Sequence, residues 1–206
     1  MSFSLIATIG KRNELGKNGH LVFQLQCDNA LFEKLTINHP VLMGINTFRS
    51  LSRVLENREN FVLVRTLSDF FAPNMIATNR EKGIDPPELR DPDFQAKVLQ
   101  GDSTSLKTLI DQLPKNLHLL TNLDGFILNL PDDVEVFVIG GGSVYAQMIS
   151  RCNKLYLTEV DATDDEADVY FPNFLHHKYN RQLLDEGDEN GAHYQHILYE
   201  RKTNGN

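Results

Sequence analysis

Asp28 is a carboxylate on the apolar face of a predicted helix. Within NGHLVFQLQCDNALFEKLT (residues 18–36), apolar residues recur at three- and four-residue intervals, which predicts a helix from about Asp28 to Leu35. Two interpretations of Asp28 remain open. It caps the helix N-terminus, which is the simpler explanation of its position, or it faces a pocket and accepts hydrogen bonds from the N–H groups of a ligand. The apolar residues that share its face are Leu31, Phe32 and Leu35.

Two glycine-containing turns follow predicted buried strands and precede helices. They are VIGGGSVY (138–145) and LMGINTF (42–48). Glycine lets the backbone approach a ligand closely, and a helix N-terminus favours phosphate. Neither spacing is the G-x-G-x-x-G fingerprint, so a tight structural turn remains open at each position. If both turns bind phosphate, the pair suits a dinucleotide.

The remaining reactive side chains give no convincing site. Cys27 and Cys152 lack neighbours at metal-binding spacing. His193 and His196 lie three apart in a predicted strand and therefore face opposite sides of the sheet. The acidic segment 161–168 fits a hydrated loop better than a cation site, and no serine or cysteine has a partnered base. We therefore predict no metal site and no covalent nucleophile.

The composition indicates a globular protein that acts on a small molecule. The 206 residues are 41% hydrophobic and carry a formal net charge of −8, which disfavours nucleic acid and anionic membranes as partners. No segment reaches the roughly 18 apolar residues of a membrane span, and the first residues do not form a signal peptide. Because two cysteines make no disulfide framework, we expect a cytoplasmic protein. Separately, we expect a monomer or weak homodimer.

Strands alternate with helices along most of the chain. Helical patterns follow the apolar runs that end in glycine, and the last two strand patterns have no obvious helix between them. This order predicts an α/β domain with a mostly parallel sheet, an antiparallel C-terminal edge and ligands at the carboxyl ends of the strands. The predicted strands are residues 3–10, 39–44, 59–66, 134–142, 154–162 and 192–201.

Residues 66–116 do not fit this alternation. The segment 72–94 is rich in Pro, Asn and Asp and predicts a loop. The segment 103–113 has a helical apolar stripe, with an N-cap expected at Ser103 to Ser105. Because such a long loop is unusual in a compact domain, we expect part of it to be ordered.

Several segments, taken together and in order, resemble the dihydrofolate reductase family. They cover residues 3–65 and 117–201. The resemblance implies a single three-layer domain over residues 1–206, with helices on both faces of the sheet and an insertion at about 66–116. It also favours the ligand-facing interpretation of Asp28. The matching segments are SLIATIG…ELGKNG, LVFQL…D…LF…LT, HPVLMG…TF.SL, N.R.NFV, VFVIGGGSVYAQ, KLYLTEVDA and ADVYFP.

The resemblance implies an oxidoreductase that reduces 7,8-dihydrofolate to tetrahydrofolate with NADPH. The family transfers hydride to pterin C6 and a proton to N5. Asp28 matches the acid that hydrogen-bonds the pterin 2-amino group and N3, and Thr158 matches the threonine that hydrogen-bonds this acid. The ligand would thus supply the partners of an otherwise unpaired carboxylate. The positions that match catalytic residues are Asp28, Phe23, Thr158 and Tyr145.

Further substrate contacts follow from the resemblance. Phe32 matches the aromatic residue that packs on the substrate, and Leu55 the residue that touches the p-aminobenzoyl ring. Arg58 matches the arginine that pairs with the glutamate α-carboxylate. Ile6 and Ile139 match residues whose carbonyls line the pterin pocket. All matching substrate-binding positions are Ile6, Ala7, Asp28, Phe32, Leu55, Arg58, Ile139 and Thr158.

The implied NADPH site includes both glycine-containing turns. Ala7 and Tyr145 match residues beside the nicotinamide, residues 142–144 match those that hold the pyrophosphate, and Gly44 and Thr47 lie on the other phosphate side. The matching cofactor-binding positions are Ala7, Leu15, Gly16, Gly44, Asn46, Thr47, Arg65, Gly140, Gly141, Gly142, Ser143, Val144 and Tyr145.

The segment that matches the family's mobile loop departs from the family pattern. Residues 10–24 match the loop that closes over the nicotinamide, and Asp168 matches a residue that steadies it. Phe23 replaces a tryptophan whose indole N–H orders water. Val22 and Gln26 replace prolines, which predicts a less rigid loop.

The positions that grip the NADPH 2′-phosphate also differ. Ile45 and Asn46 replace residues that are usually basic, and Arg65 matches a 2′-phosphate ligand of part of the family. We expect NADPH to be preferred by a reduced margin, with NADH as an alternative cofactor.

Two other functions remain open from the sequence. The pyrimidine reductase of riboflavin biosynthesis shares the fold and cofactor, but it does not use the acid at Asp28 or the arginine at Arg58. A non-catalytic homologue that binds folate or a nucleotide would explain the departures from the family pattern. Turnover of dihydrofolate separates both from the reductase.

Overall fold

The computed structural model describes residues 1–202, which form a mixed α/β fold. In chain order the strands are β1 (Ser2–Ile9), β2 (Glu14–Lys17), β3 (His20–Leu21), β4 (Val41–Gly44), β5 (Asn60–Leu63), β6 (Leu117–Leu120), β7 (Glu135–Gly140), β8 (Lys154–Val160), β9 (Val169–Tyr170), β10 (Tyr179–Glu189) and β11 (Ala192–Arg201). The helices are α1 (Gln26–Thr36), α2 (Ile45–Ser50), α3 (Leu67–Phe70), α4 (Pro73–Glu81), α5 (Pro92–Leu99), α6 (Ser103–Ile110), α7 (Leu123–Leu128) and α8 (Gly142–Met148). Short 3₁₀ helices cover Pro87–Arg90, Ile149–Arg151 and His176–Lys178.

The central sheet has eight strands in the order β10-β11-β8-β1-β7-β4-β5-β6. The strands from β8 to β6 run parallel to their neighbours, whereas β11 and β10 are antiparallel. This arrangement confirms the predicted mostly parallel sheet with an antiparallel C-terminal edge. A separate sheet of three short strands, in the order β3-β2-β9, was not predicted.

Helices cover both faces of the central sheet, as predicted. Along β1, Leu5 and Ala7 face the core beneath α7 and α8, whereas Ile6 faces the core beneath α1 to α6. The alternation follows from the two-residue period of a strand, and it explains why the strand is apolar on both sides. Thr8 lies on the same face of β1 as Ile6, so its hydroxyl points towards α1.

Helix α1 starts at Gln26, and Asp28 does not cap it. Leu25 occupies the N-cap position and makes no capping hydrogen bond with its side chain. Asp28 is the third residue of the helix, in its first turn, where a negative charge interacts favourably with the helix dipole and its oxygens remain available for tertiary contacts. The capping interpretation of Asp28 is therefore wrong.

The loop predicted for residues 72–94 is also wrong, because this segment is mostly helical. Pro73 and Pro92 occupy first-turn positions of α4 and α5, and the Asp91 side chain accepts a hydrogen bond from the Asp93 N–H at 2.9 Å. Proline and aspartate, which were interpreted as turn formers, instead begin helices here.

Helix α6 confirms the prediction for residues 103–113, although its cap differs. Asp102 is the N-cap, and its carboxylate accepts a hydrogen bond from the Ser105 N–H at 2.8 Å. Phe70, Met75 and Leu109 are fully buried and belong to the core on the α1 side of the sheet. The helices between β5 and β6 therefore extend this core.

Candidate active site

A cleft of about 700 Å³ opens at the carboxyl ends of β1, β4, β5 and β7. This is the edge at which parallel α/β sheets bind ligands, and the volume is in the range of small-molecule sites. Helices α1, α2 and α8 contribute its walls. The cleft is therefore the candidate active site.

Two threonine hydroxyls hold the Asp28 carboxylate at one end of the cleft. Thr8 Oγ1 donates to Asp28 Oδ2, and Thr158 Oγ1 donates to Asp28 Oδ1. The two threonines are register partners on the parallel strands β1 and β8, so the sheet places both hydroxyls beneath the same turn of α1. Both threonines are buried, and Asp28 lines the cleft together with Thr8. The protein thus fixes the carboxylate through two hydroxyl donors, and Asp28 still borders the cleft.

No basic side chain neutralises Asp28 among residues 1–202. None of the ion pairs in this part of the chain includes it. A half-buried anion satisfied only by hydroxyls favours a ligand that brings N–H donors or positive charge. The site is therefore electrostatically suited to a cationic or N–H-rich ring.

Tyr145 forms the wall between the carboxylate and the glycine turn. Its phenol donates to the Ile6 carbonyl oxygen at 2.7 Å. Burial, and secondarily the Asp28 carboxylate, raise the pKa of Tyr145 above its ordinary value. The phenol therefore stays protonated at neutral pH and acts as a hydrogen-bond donor.

The other end of the cleft is formed largely by glycines at the end of β7 and the start of α8. The Gly140–Gly141 peptide bond is cis, and Gly140 has φ +124°. A Cβ atom at Gly140 would lie 3.1 Å from Thr47 Oγ1, and one at Gly142 would lie 2.9 Å from a Val169 methyl group. Larger residues would therefore crowd this wall. Because these positions are glycines, the backbone stays accessible to a ligand.

Residues 10–24, predicted as a loop, include the short strands β2 and β3. β2 pairs with β3 and with β9, which brings Leu15 and Gly16 to the cleft. Asp168 accepts a hydrogen bond from the Asn18 N–H at 2.9 Å and thus ties this segment to the chain before β9. Asp168 therefore has the contact that the resemblance led us to expect.

Comparisons with known proteins identify the family. The family model described as dihydrofolate reductase matches residues 2–91 and 106–201. The chain belongs to the dihydrofolate reductase family. It is 29% identical over 175 residues to the dihydrofolate reductase type 3 of Salmonella typhimurium, covering 85% of this chain and 81% of that protein. It is 27% identical over 203 residues to the dihydrofolate reductase of Bacillus subtilis strain 168, covering 97% and 95% of the two chains.

A third relative matches nearly the whole chain. The chain is 26% identical over 202 residues to the dihydrofolate reductase HdrB of Haloferax volcanii, which covers 97% of this chain and 84% of that protein. Membership of the dihydrofolate reductase family makes this chain an enzyme and confirms the resemblance stated from its sequence segments. The residues left out between the two matched segments, 92–105, form α5 and the start of α6.

Most residues expected at a dihydrofolate reductase site come together around the cleft. They arrive from β1, β2, α1, β4, α2, the end of β5, β7 and α8, which are far apart in the sequence. The expected residues that line the cleft are Ile6, Ala7, Leu15, Gly16, Asp28, Phe32, Gly44, Asn46, Thr47, Arg65, Ile139, Gly140, Gly141, Gly142, Ser143, Val144 and Tyr145.

Four expected residues do not line the cleft. Thr158 lies behind Asp28 and acts on it by hydrogen bonding. Leu55 is buried in the core, and both its backbone polar groups are bonded to the Asn60 side chain. Arg58 is buried beneath the wall of the cleft and has partners of its own.

Phe23, expected at a catalytic position, also lies outside the cleft. It packs against a small cluster that contains Leu25, Val160 and Tyr194. A direct catalytic contact through Phe23 is therefore not supported by this arrangement, because its ring is committed to packing near Gly10.

Thr8 bonds to Asp28 and lines the cleft, but sequence reasoning did not identify it. In the run SLIATIG it looks like an ordinary residue of a buried strand, because threonine is common in strands. Thr8 could have been found because it lies two residues after Ile6, on the same face of the strand. The resemblance had already matched Ile6 to a residue at the pterin pocket. Its role depends on register pairing with Thr158, and this pairing is visible only in the folded sheet.

Among residues 1–202, no three His, Cys, Asp or Glu side chains converge as metal ligands. No helix within the same residues is long and apolar enough to cross a membrane.

Proposed function

We propose that this protein reduces 7,8-dihydrofolate to 5,6,7,8-tetrahydrofolate with NADPH. The observation that supports the proposal most strongly is the Asp28 carboxylate, held by Thr8 and Thr158 at the wall of the cleft without a basic partner in residues 1–202. A pterin presents a 2-amino group and a ring N–H in adjacent positions, which matches the two oxygens of a carboxylate. Family membership supports the same reaction.

In this proposal Asp28 binds and polarises the pterin. Its oxygens accept hydrogen bonds from the pterin 2-amino group and N3, while Thr8 and Thr158 keep the carboxylate from rotating away. Because its negative charge stabilises positive charge on the ring, the carboxylate favours the protonated pterin that accepts hydride. Phe32 packs beside the ring, and Ile6 and Ile139 line the pocket around it.

The glycine-containing end of the cleft fits NADPH. Gly44, Gly140 and Gly142 present backbone without side chains there, and a Cβ at Gly142 would crowd Val169. When bound, NADPH supplies the hydride to pterin C6, and a proton from water completes the reduction at N5. Arg65 lines the cleft with an 88% exposed side chain and is the cation available to a 2′-phosphate, because Ile45 and Asn46 are uncharged.

Other predictions from the sequence stay predictions. We propose that residues 10–24 close over the nicotinamide, that residues 66–116 are an insertion in a single domain of residues 1–206, and that the enzyme works in the cytoplasm as a monomer or weak homodimer. The contact between Asp168 and Asn18 supports the first of these by fixing one side of the segment.

The test is a turnover assay with purified protein, dihydrofolate and either NADPH or NADH. We expect oxidation of NADPH with formation of tetrahydrofolate, and slower turnover with NADH. Turnover of the ribosylaminopyrimidine substrate of riboflavin biosynthesis, with none of dihydrofolate, would reverse the assignment. Binding of folate and NADPH without any turnover would instead support the non-catalytic homologue.

A further inference from the structure

Each of the three nitrogens of the Arg58 guanidinium donates a hydrogen bond to a group of the chain itself. Its Nε donates to the Glu56 carbonyl oxygen at 3.0 Å, its Nη1 to Thr36 Oγ1 at 2.7 Å and its Nη2 to Glu33 Oε2 at 2.8 Å. The Arg58 side chain is only 5% exposed, whereas the Glu33 side chain is 54% exposed. A carboxylate of the protein therefore holds the solvent side of this arginine.

This ion pair lies directly behind the wall of the cleft. The Arg58 Cζ atom is 5.8 Å from the centre of the Phe32 ring, and Phe32 lines the cleft together with Asp28 and Asn29 of the same helix. Glu33 is the next residue of α1 after Phe32. A ligand that extends past Phe32 towards Arg58 would thus meet the Glu33 carboxylate first.

We infer that Glu33 is a specificity-determining residue that competes with the substrate's own carboxylate for Arg58. This inference rests on the proposed function, in which the substrate is a reduced pterin. A carboxylate on the pterin's C6 substituent must displace Glu33 or lie beside it, with two negative charges sharing one positive charge. A pterin whose substituent is uncharged meets no such competition. The site therefore favours reduced pterins with a neutral C6 substituent more strongly than an unoccupied arginine would.

The preference for neutral C6 substituents is partial and not absolute, because Glu33 is much more exposed than Arg58. Glu33 is half exposed and can turn into water at little loss, since ion pairs with an exposed partner are weak. Arg58 is buried, stacked near Phe32 and bonded to Thr36 and Glu56, so it stays in place. The substrate carboxylate thus replaces Glu33 on a fixed guanidinium. We expect the competition to lower kcat/KM for dihydrofolate by about three- to tenfold.

The test compares Glu33→Gln with the unmodified enzyme on two substrates at saturating NADPH. One is 7,8-dihydrofolate, which carries glutamate carboxylates, and the other is 6-methyl-7,8-dihydropterin, which carries none. Glu33→Gln removes the competing charge and keeps the side-chain size. We expect kcat/KM for dihydrofolate to rise about three- to tenfold, mainly through a lower KM, with less than about a twofold change for the dihydropterin.

Glu56→Gln is the matched control. The Glu56 carboxylate is exposed and lies 3.7 Å from Arg53, so this variant changes the net charge equally without touching the guanidinium of Arg58. Glu56→Gln should leave kcat/KM for both substrates unchanged, because only the backbone carbonyl of Glu56 contacts Arg58. Thermal unfolding of both variants checks that the exposed substitutions leave the fold intact.

The outcomes separate the role of Glu33 from the reaction itself. If folded enzyme turns over both pterins and Glu33→Gln leaves their kcat/KM ratio unchanged, or shifts it towards the dihydropterin, Glu33 does not compete for Arg58. An equal gain with Glu56→Gln would also overturn the inference, because it would indicate a general charge effect. If folded enzyme turns over neither pterin, the proposed function fails and the inference fails with it.

Discussion

The two ends of the cleft are built from different parts of the polypeptide. At one end the contact groups are side chains: the Asp28 carboxylate with the hydroxyls of Thr8 and Thr158. At the other end they are mainly backbone at the glycines 140–142, and the charged side chain of Arg65 is almost fully exposed. Substitutions at the first end should therefore have large effects on the reaction, whereas side-chain substitutions at the second should have small ones.

Removing either threonine hydroxyl should give the largest effect among these supporting residues. Thr8→Val and Thr158→Val keep the side-chain shape but leave one Asp28 oxygen without its hydroxyl donor. Because hydrogen bonds to charged groups are strong, we expect each variant to lower kcat/KM for dihydrofolate about 10- to 100-fold. Steady-state kinetics at saturating NADPH measures it.

The control for these variants is Thr104→Val, because Thr104 is exposed on α6, away from the cleft. It should have wild-type kinetics. A Thr8→Val enzyme with wild-type kcat/KM would remove the distinction between the two ends of the cleft, since the buried hydroxyl would then have no part in the reaction.

A smaller effect is expected at the backbone-built end. Arg65→Gln removes the exposed cation at the cleft and its 3.6 Å ion pair with Asp69. We expect the KM for NADPH to rise about three- to tenfold, with little change for NADH, because only NADPH carries the 2′-phosphate. The measurement is kcat/KM for both cofactors.

Arg53→Gln controls for the loss of one positive charge, because Arg53 is exposed and does not line the cleft. Equal losses with NADPH and NADH in Arg65→Gln would mean that Arg65 does not recognise the 2′-phosphate. A loss of 100-fold or more at Arg65 would show that this end depends on side chains as strongly as the Asp28 end does.

The smallest effect is expected at His196, which lies on β11 beside Thr158 of β8. His196 is buried, is the register partner of Thr158, and has no hydrogen-bond partner for Nε2 within the described chain. Burial lowers the pKa of His196 below its ordinary value, although the carboxylates of Asp28 and Asp185 oppose this shift. Tyr194 is the other titratable side chain that packs beside it. The folded protein therefore keeps this imidazole neutral.

The consequence is a pH-dependent stability. Above the ordinary histidine pKa of about 6.5, both folded and unfolded states hold neutral imidazole and stability is complete. As the pH falls through this value towards the lowered folded pKa, the unfolded state binds a proton that the folded state does not, so stability is lost. His196→Phe should flatten this dependence between pH 7 and 5, because it removes the group that titrates.

Denaturant unfolding at several pH values measures this effect, with the exposed His177 substituted in the same way as the control. An unchanged slope of stability against pH in His196→Phe would contradict the burial argument.

The sequence predicted the sheet better than the segment between β5 and β6. Apolar runs that end in glycine indicated the central strands, because that pattern is local and strong. Pro73 and Pro92 led to a wrong prediction of a loop at residues 72–94, because proline also occurs in the first turn of helices. Strands β3 and β9 have two residues each, which is too few for a periodic pattern, and β10 was missed because it is polar and mostly exposed.

The candidate site was predicted only in part for a similar reason. Asp28 was visible because a carboxylate on an apolar helical face is unusual. Thr8 was not, since its role depends on a register partner far along the chain. The engagement of Arg58 by Glu33 was also hidden, because residues on α1 and before β5 meet only after folding.

Single-turnover hydride transfer in Asp28→Asn tests the central claim most directly. With NADPH bound first and dihydrofolate mixed in, the loss of cofactor absorbance reports the chemical step without product release. We predict a rate about 100- to 1000-fold below wild type at neutral pH, because the neutral amide no longer favours the protonated pterin, with NADPH affinity unchanged. A rate within about threefold of wild type would contradict the role of Asp28 in the reaction.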